Sequence, residues 1–88
     1  MMNIVISAAK SVEYILGHSM ADVAIKNLKL IAEGTETRFI GNKEAELYFI
    51  QAGILQKSPE GKLSPASEEM RRQILAIKEE GGRIKLPK

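Results

Sequence analysis

The chain has 88 residues, of which 44% are hydrophobic and 27% are charged, and its formal net charge is +2 at neutral pH. This balance is typical of one small globular domain and argues against global disorder, and so short a chain buries one modest core without room for a deep substrate cavity. The absence of cysteine excludes disulfides, thiolate nucleophiles and thiolate metal ligands.

Membrane and export signals are not evident in the apolar runs of the sequence. No run approaches the roughly 20 apolar residues that a spanning helix needs. Near the N-terminus, Lys10 and Glu13 fall where a signal peptide stays apolar, and no basic region precedes the apolar residues 4–6. We therefore expect a cytoplasmic protein that does not associate with membranes.

Two helices are predicted in the first third of the chain. Apolar residues recur at helical spacing over residues 4–16, and Gly17 follows where a left-handed glycine commonly ends a helix. A second helix is predicted from a cap at Ser19, with Asp22 favoured in its first turn by the helix dipole, to Gly34. Apolar residues extend around much of this second helix, so we expect neighbours to cover it on more than one side.

The next segment contains one ambiguous element and one clear helix. Threonines followed by Phe39 and Ile40 favour a short strand over residues 35–40, and an extended loop is the alternative. Asn42 is a natural cap for a third helix over residues 43–52, which Gly53 is expected to end.

A hairpin and a fourth helix are predicted next. Residues 54–64 contain two short β-prone runs around a Pro59–Gly61 turn. Ser64-Pro65 is typical of a helix start and predicts a last helix over residues 65–80, which Gly81-Gly82 would end. The basic tail 83–88 alternates charged and apolar residues, as a docked edge strand or a frayed terminus would.

These elements predict an α+β, mainly helical fold with about four helices and one short β-hairpin. Residues 1–82 are expected to form a single small globular domain, with residues 83–88 as a basic C-terminal tail.

Over residues 52–65 the sequence has a Gly53-Ile54-Leu55 step after a helix, a hairpin with a polar turn, and Ser64-Pro65 before the next helix. This segment resembles the wing region of winged-helix transcription regulators. The resemblance covers about residues 45–80 and implies a winged-helix-like C-terminal half. It also implies that the helix over 43–52 faces a DNA groove and that the hairpin reaches phosphates. The sequence departs from the family in having residues 34–42 where a tight interhelical turn is usual.

The basic residues that suit DNA contact are concentrated in the C-terminal half. Residues 61–88 carry seven basic and four acidic side chains. The leading hypothesis is a small, dimeric DNA-binding regulator that contacts double-stranded DNA, mostly its phosphates. The residues assigned to this contact are Lys43, Lys57, Lys62, Arg71 and Arg72.

Two other interpretations of these features remain open. Arg72 has the spacing to pair with Glu68 or Glu69 within its own helix, so the basic residues of that helix also suit a solvated face. The chain also suits a protein-interaction module, an adaptor or inhibitor that acts through the apolar second helix or through a tail strand. Ile84 and Leu86 would then contact the partner.

No catalytic or metal-binding constellation is evident in the sequence. His18 is the only histidine and lies in a predicted turn, which favours a turn residue over a general base or a metal ligand. The paired glutamates are one or two residues apart, a spacing that does not place them on the same helix face. No glycine-rich phosphate loop is present. We therefore expect a protein that is not an enzyme and that uses neither cofactor nor metal.

Overall fold

The computed structural model describes residues 3–40 and 42–87, and it confirms the α+β, mainly helical class. Four helices and two separate antiparallel hairpins lie within these residues, so the expectation of a single hairpin is corrected. The helices are α1 (Ile4–Leu16), α2 (His18–Glu33), α3 (Lys43–Gln51) and α4 (Glu68–Leu75). The hairpins pair β1 (Leu55–Lys57) with β2 (Leu63–Pro65), and β3 (Lys78–Glu80) with β4 (Arg83–Lys85).

The first two helices are joined by one residue. Asn3 caps α1 by accepting a hydrogen bond from the Ile6 N–H at 2.9 Å, and the predicted bounds of this helix are confirmed. Gly17, with a φ of +87°, ends α1 and directly precedes α2. The second helix therefore begins at His18, ahead of Ser19, and no side chain caps it.

The core lies between α1, α2 and the shorter elements that follow them. Helix α2 packs against α1, α4, β2 and β4, which confirms that it is covered on more than one side. Its exposed apolar side chains include Met20 and Val23. The largest fully buried side chains of the described residues are those of Phe49, Ile25, Leu28, Ile54, Ile74, Ile77, Val5 and Val12.

The segment before α3 is an extended loop and not a strand. The buried Asn27 side chain donates a hydrogen bond to the Arg38 carbonyl at 3.0 Å and accepts one from the Ile40 N–H at 2.7 Å. The Leu63 N–H of β2 donates to the Thr37 carbonyl at 2.8 Å. One side chain of α2 thus supplies hydrogen bonds that a neighbouring strand would otherwise provide, and the loop is fixed without a ladder.

The helix predicted over residues 65–80 is shorter in the structure at both ends, where α4 spans Glu68–Leu75. Ser67, not Ser64, caps α4 by accepting from the Met70 N–H at 3.1 Å, while Ser64 and Pro65 belong to β2. After α4 the chain reverses through Gly81 and Gly82, whose φ angles are +61° and +78°.

A tight two-residue hairpin turn of type I′ requires a positive φ at both of its residues, which glycine adopts readily. Gly81 and Gly82 therefore connect β3 to β4 where a helix end was expected. Ile84, in β4, is 7% exposed and belongs to the core. Residues 83–85 of the tail therefore form a docked strand and not a frayed terminus.

Asp22 anchors the second hairpin to α2. Its carboxylate accepts from the Ile84 N–H at 2.7 Å and lies 2.9 Å from the Lys26 ammonium. Burial raises the pKa of Asp22, but the Ile84 hydrogen bond and the Lys26 contact outweigh it and hold the pKa below its ordinary value.

This arrangement predicts acid-sensitive stability. Because the folded-state pKa of Asp22 is lowered, its charge stabilises the fold fully above the unfolded-state pKa of about 3.9, and that contribution is lost as the pH falls through the lower folded value. In urea denaturation at pH 7, 5, 4 and 3, the wild type should therefore lose more unfolding free energy than Asp22→Asn does. A constant difference between the two proteins at all four pH values would contradict this role.

Removal of the Asn27 side chain should loosen the loop before α3. Asn27→Ala leaves the Arg38 carbonyl and the Ile40 N–H without their partner, so we expect a loss of about 2 kcal/mol in unfolding free energy. Urea denaturation measures it, with the exposed Gln51→Ala as the control, which should cost less than about 0.5 kcal/mol. Equal effects of the two substitutions would refute the tethering role.

Candidate nucleic-acid interface

A cleft forms where the loop over residues 35–40, the start of α3 and the β1–β2 hairpin meet. Three basic side chains line it, those of Arg38, Lys43 and Lys57, together with two acidic ones, Glu46 and Glu60. We call this site the basic cleft.

Local structure sets the position of each basic side chain in the cleft. Asn42 caps α3 by accepting from the Ala45 N–H at 3.0 Å, which makes Lys43 the first helical residue, at the positive end of the helix dipole. The loop tethered by Asn27 presents Arg38. Antiparallel pairing places Lys57 opposite Leu63, next to the hairpin turn.

The turn of the β1–β2 hairpin is held by a compact set of hydrogen bonds. The Ser58 N–H donates to the Lys62 carbonyl at 2.8 Å, and the Ser58 hydroxyl accepts from the Lys62 N–H at 3.1 Å. The Gly61 N–H donates to the Ser58 carbonyl at 2.8 Å, and Gly61 has a φ of +84°. Lys62 therefore lies on a well-defined turn with its side chain exposed to solvent.

Ion pairs within the chain leave only some of these charges available. The Lys57 ammonium lies 3.1 Å from the Glu46 carboxylate, whose side chain is only 11% exposed. Within residues 3–40 and 42–87, neither Arg38 nor Lys43 nor Lys62 forms an ion pair. The positive charge that the basic cleft and the adjoining turn offer to an anion therefore comes mainly from these three residues, and Glu60, which also lines the cleft without an ion pair to a described residue, offsets part of it.

The five residues that the sequence assigns to DNA contact divide into two groups. Lys43 and Lys57 line the basic cleft, and Lys62 lies on the adjoining turn. Arg71 and Arg72 lie on α4 and do not line it. Sequence reasoning missed Arg38, because no pattern distinguishes an isolated arginine in a loop until the contacts of that loop are known.

The two arginines of α4 differ in their contacts. Arg71 donates from Nε to the Ala32 carbonyl at 3.1 Å and from a terminal nitrogen to Glu68 at 3.1 Å, so it covers the C-terminal end of α2. The Arg72 side chain is 71% exposed, and its Nε lies 3.9 Å from Glu68. The pairing of Arg72 within its helix that the spacing predicts is present, though long.

Ile84 and Leu86, which the sequence assigns to contact with a protein partner, pack against the core of this chain instead. Ile84 is buried in β4, and Leu86 is partly buried against the core. Most of the apolar surface of α2 is covered as well. Large apolar side chains remain exposed on α1 and α3, among them Tyr14, Ile15 and Leu47, and also on α2 at Val23 and in the loop at Ile40.

His18 is a surface residue in the first turn of α2. Its Nδ1 lies 2.9 Å from the Glu13 carboxylate, and both side chains are substantially exposed. In the part of the chain that the structure describes, no group of three metal-ligating side chains occurs, and no helix is both long and apolar enough to cross a membrane.

Helix α3 presents chemically different residues around its circumference. Successive residues are about 100° apart around the axis. Lys43 and Glu46 point to the basic cleft, Phe49 points to the core, and Glu44 and Leu47 point to a groove shared with α1. The face of α3 that is exposed beside α1 is therefore apolar and acidic.

No protein-family model, curated protein or solved structure matches the chain.

The contacts of the two arginines predict opposite outcomes for neighbouring substitutions. Arg71→Ala removes hydrogen bonds to the end of α2, so it should lower the free energy of unfolding by about 1–2 kcal/mol. Arg72→Ala is the matched control and should cost less than about 0.5 kcal/mol, because its ion pair is exposed and long. Urea denaturation distinguishes the two, and similar losses would show that Arg71 does not secure α2.

Proposed function

We propose that this protein is a small regulator that binds double-stranded DNA through the basic cleft and the turn of the β1–β2 hairpin. The observation that carries the proposal is the convergence of Arg38 and Lys43 on one cleft next to Lys62, with no ion pair to any described residue. Such unpaired cations attract phosphates, which supply most of the sequence-independent affinity for DNA.

The cap of α3 adds to this attraction. The N-terminus of a helix carries partial positive charge and free N–H groups, which favour a phosphate nearby. Asn42 satisfies the Ala45 N–H, and Lys43 places a full charge at the same end. Helix α3 thus contributes to phosphate binding through its first turn.

The binding mode that follows differs from the one implied by the winged-helix resemblance. A recognition helix lying in the major groove needs side chains that hydrogen-bond to base edges or contact thymine methyl groups along its outer face. Here Glu44, which repels phosphates, and the apolar Leu47 occupy the exposed side. We therefore assign most of the affinity to phosphates and little to sequence reading.

The alternative function, a protein-interaction module, is favoured by the exposed apolar side chains of α1 and α3. The two functions differ in their response to salt. Phosphate contacts release counterions and weaken steeply as salt increases, whereas an apolar interface is almost insensitive to it.

Fluorescence anisotropy of a labelled mixed-sequence duplex tests the DNA proposal. With about three phosphate contacts, the logarithm of the binding constant should fall against the logarithm of salt with a slope of about −3. We expect micromolar binding at low salt that is largely lost at physiological salt. No binding by about 100 μM protein at low salt would refute the proposal.

Charge-reversal variants locate the DNA surface. Lys43→Glu and Lys62→Glu should each weaken binding by about tenfold and reduce the magnitude of the salt slope by about one. Lys78→Glu, an equal charge change at an exposed position on β3 outside the basic cleft, is the matched control. If this control weakens binding as much as the other two, the affinity comes from overall charge and not from the cleft.

A further inference from the structure

An apolar surface that the proposed DNA contact does not use lies between α1 and α3. Tyr14 is 92% exposed, Ile15 59% and Leu47 55%, so these three large side chains lie mostly in solvent. Together with Tyr48 they surround two shallow hollows. We call this surface the α1–α3 face.

The two hollows share a common wall. Ile15 and Tyr48 line both of them, so these two side chains form a ridge across the middle of the α1–α3 face. The first hollow is bounded by Leu16 and Leu47, and the second by Tyr14. The other exposed apolar residues of the described chain, Ile4, Met20, Val23, Leu30 and Ile40, line neither hollow.

Opposite charges lie on the two sides of the ridge. Glu44 lines the first hollow, and Lys10 lines the second. Neither side chain forms an ion pair within residues 3–40 and 42–87. The α1–α3 face thus has an apolar ridge, a hollow on each side of it, and one unpaired charge of each sign at its two ends.

We infer that the α1–α3 face binds a second copy of this chain in a two-fold symmetric dimer. A two-fold axis through the ridge exchanges its two sides, which brings Lys10 of each copy to Glu44 of the other. The Ile15 and Tyr48 side chains of the two copies then meet along the axis, and Tyr14 of each copy faces the hollow that Leu47 bounds in the other.

Self-complementarity is what selects a second copy as the occupant. An isologous interface requires that one patch present both members of every complementary pair, and this face does so in charge, through Lys10 and Glu44. An apolar helix without charges of its own would fill the hollows but would leave Lys10 and Glu44 without counterparts.

The size of the molecule accommodates such a dimer. A standard interface buries about 800 Å² per partner, which is about one-seventh of the 5673 Å² surface of this chain. The α1–α3 face and the basic cleft adjoin on α3, where Leu47 lies only about 40° around the helix from Lys43. No described residue that lines the basic cleft lines either hollow, and the inference does not depend on DNA binding.

Sedimentation equilibrium of the full chain tests the inference. We expect the average molecular mass to rise from that of one chain, 9.7 kDa, towards twice this value as the protein concentration increases from about 1 to 500 μM. Leu47→Ser should weaken dimerisation by at least about tenfold, since an apolar contact is lost in both copies. Val23→Ser, at an equally exposed helical position outside the face, is the control and should leave the dimer unchanged. Circular dichroism verifies that both variants fold.

A charge exchange then tests the symmetry itself. Lys10→Glu and Glu44→Lys alone should each weaken the dimer by about tenfold, because every substitution converts two attractions into two repulsions. The double variant should restore the wild-type dissociation constant to within about threefold. A monomer at every concentration, a dimer insensitive to Leu47→Ser, or no restoration in the double variant would each overturn the inference.

Discussion

Helix α2 is the element on which the rest of the structure depends, because it supplies both the core surface and the polar contacts that hold later segments. Asp22 holds the second hairpin, and Asn27 holds the loop before α3. Lys29 donates to a carbonyl in the segment after α4 at 2.6 Å, and Arg71 of α4 donates to the carbonyl of Ala32. In a domain with one modest core, these directional contacts specify where short elements dock, which apolar burial alone does not.

The candidate DNA surface depends on these contacts, although none of its charges belongs to α2. Arg38 lines the basic cleft from a loop whose backbone Asn27 holds on either side of Phe39. The Leu63 N–H, bonded to the same loop, joins it to the hairpin. The geometry of the cleft therefore depends on α2, which lies on the other side of the loop. A substitution in α2 is expected to alter anion binding even though no α2 residue contacts the anion.

The sequence predicted the fold class and the first three helices, because apolar periodicity and the helix-ending residues there depend on local chemistry. It placed the fourth helix wrongly because Ser64-Pro65 and Ser67 are both good starting signals, and only the pairing of β2 with β1 decides between them. Gly81-Gly82 ends a helix or turns a hairpin equally well, and the burial of Ile84 determines which occurs. The sequence also did not identify Arg38, because the position of this residue depends on a hydrogen bond from Asn27, eleven residues earlier.

A count of basic residues in the sequence overestimates the charge available to DNA, because the fold uses part of it internally. Lys57 is paired with a nearly buried glutamate, and Arg71 secures the end of a helix, which leaves Arg38, Lys43 and Lys62 at the proposed surface. Three phosphate contacts support only weak binding at physiological salt. Two copies joined through the α1–α3 face would present two such surfaces in one particle, and binding of the second becomes effectively intramolecular once the first is bound. Under these two proposals, dimerisation would raise the affinity of a nearly neutral chain for DNA without any further contact.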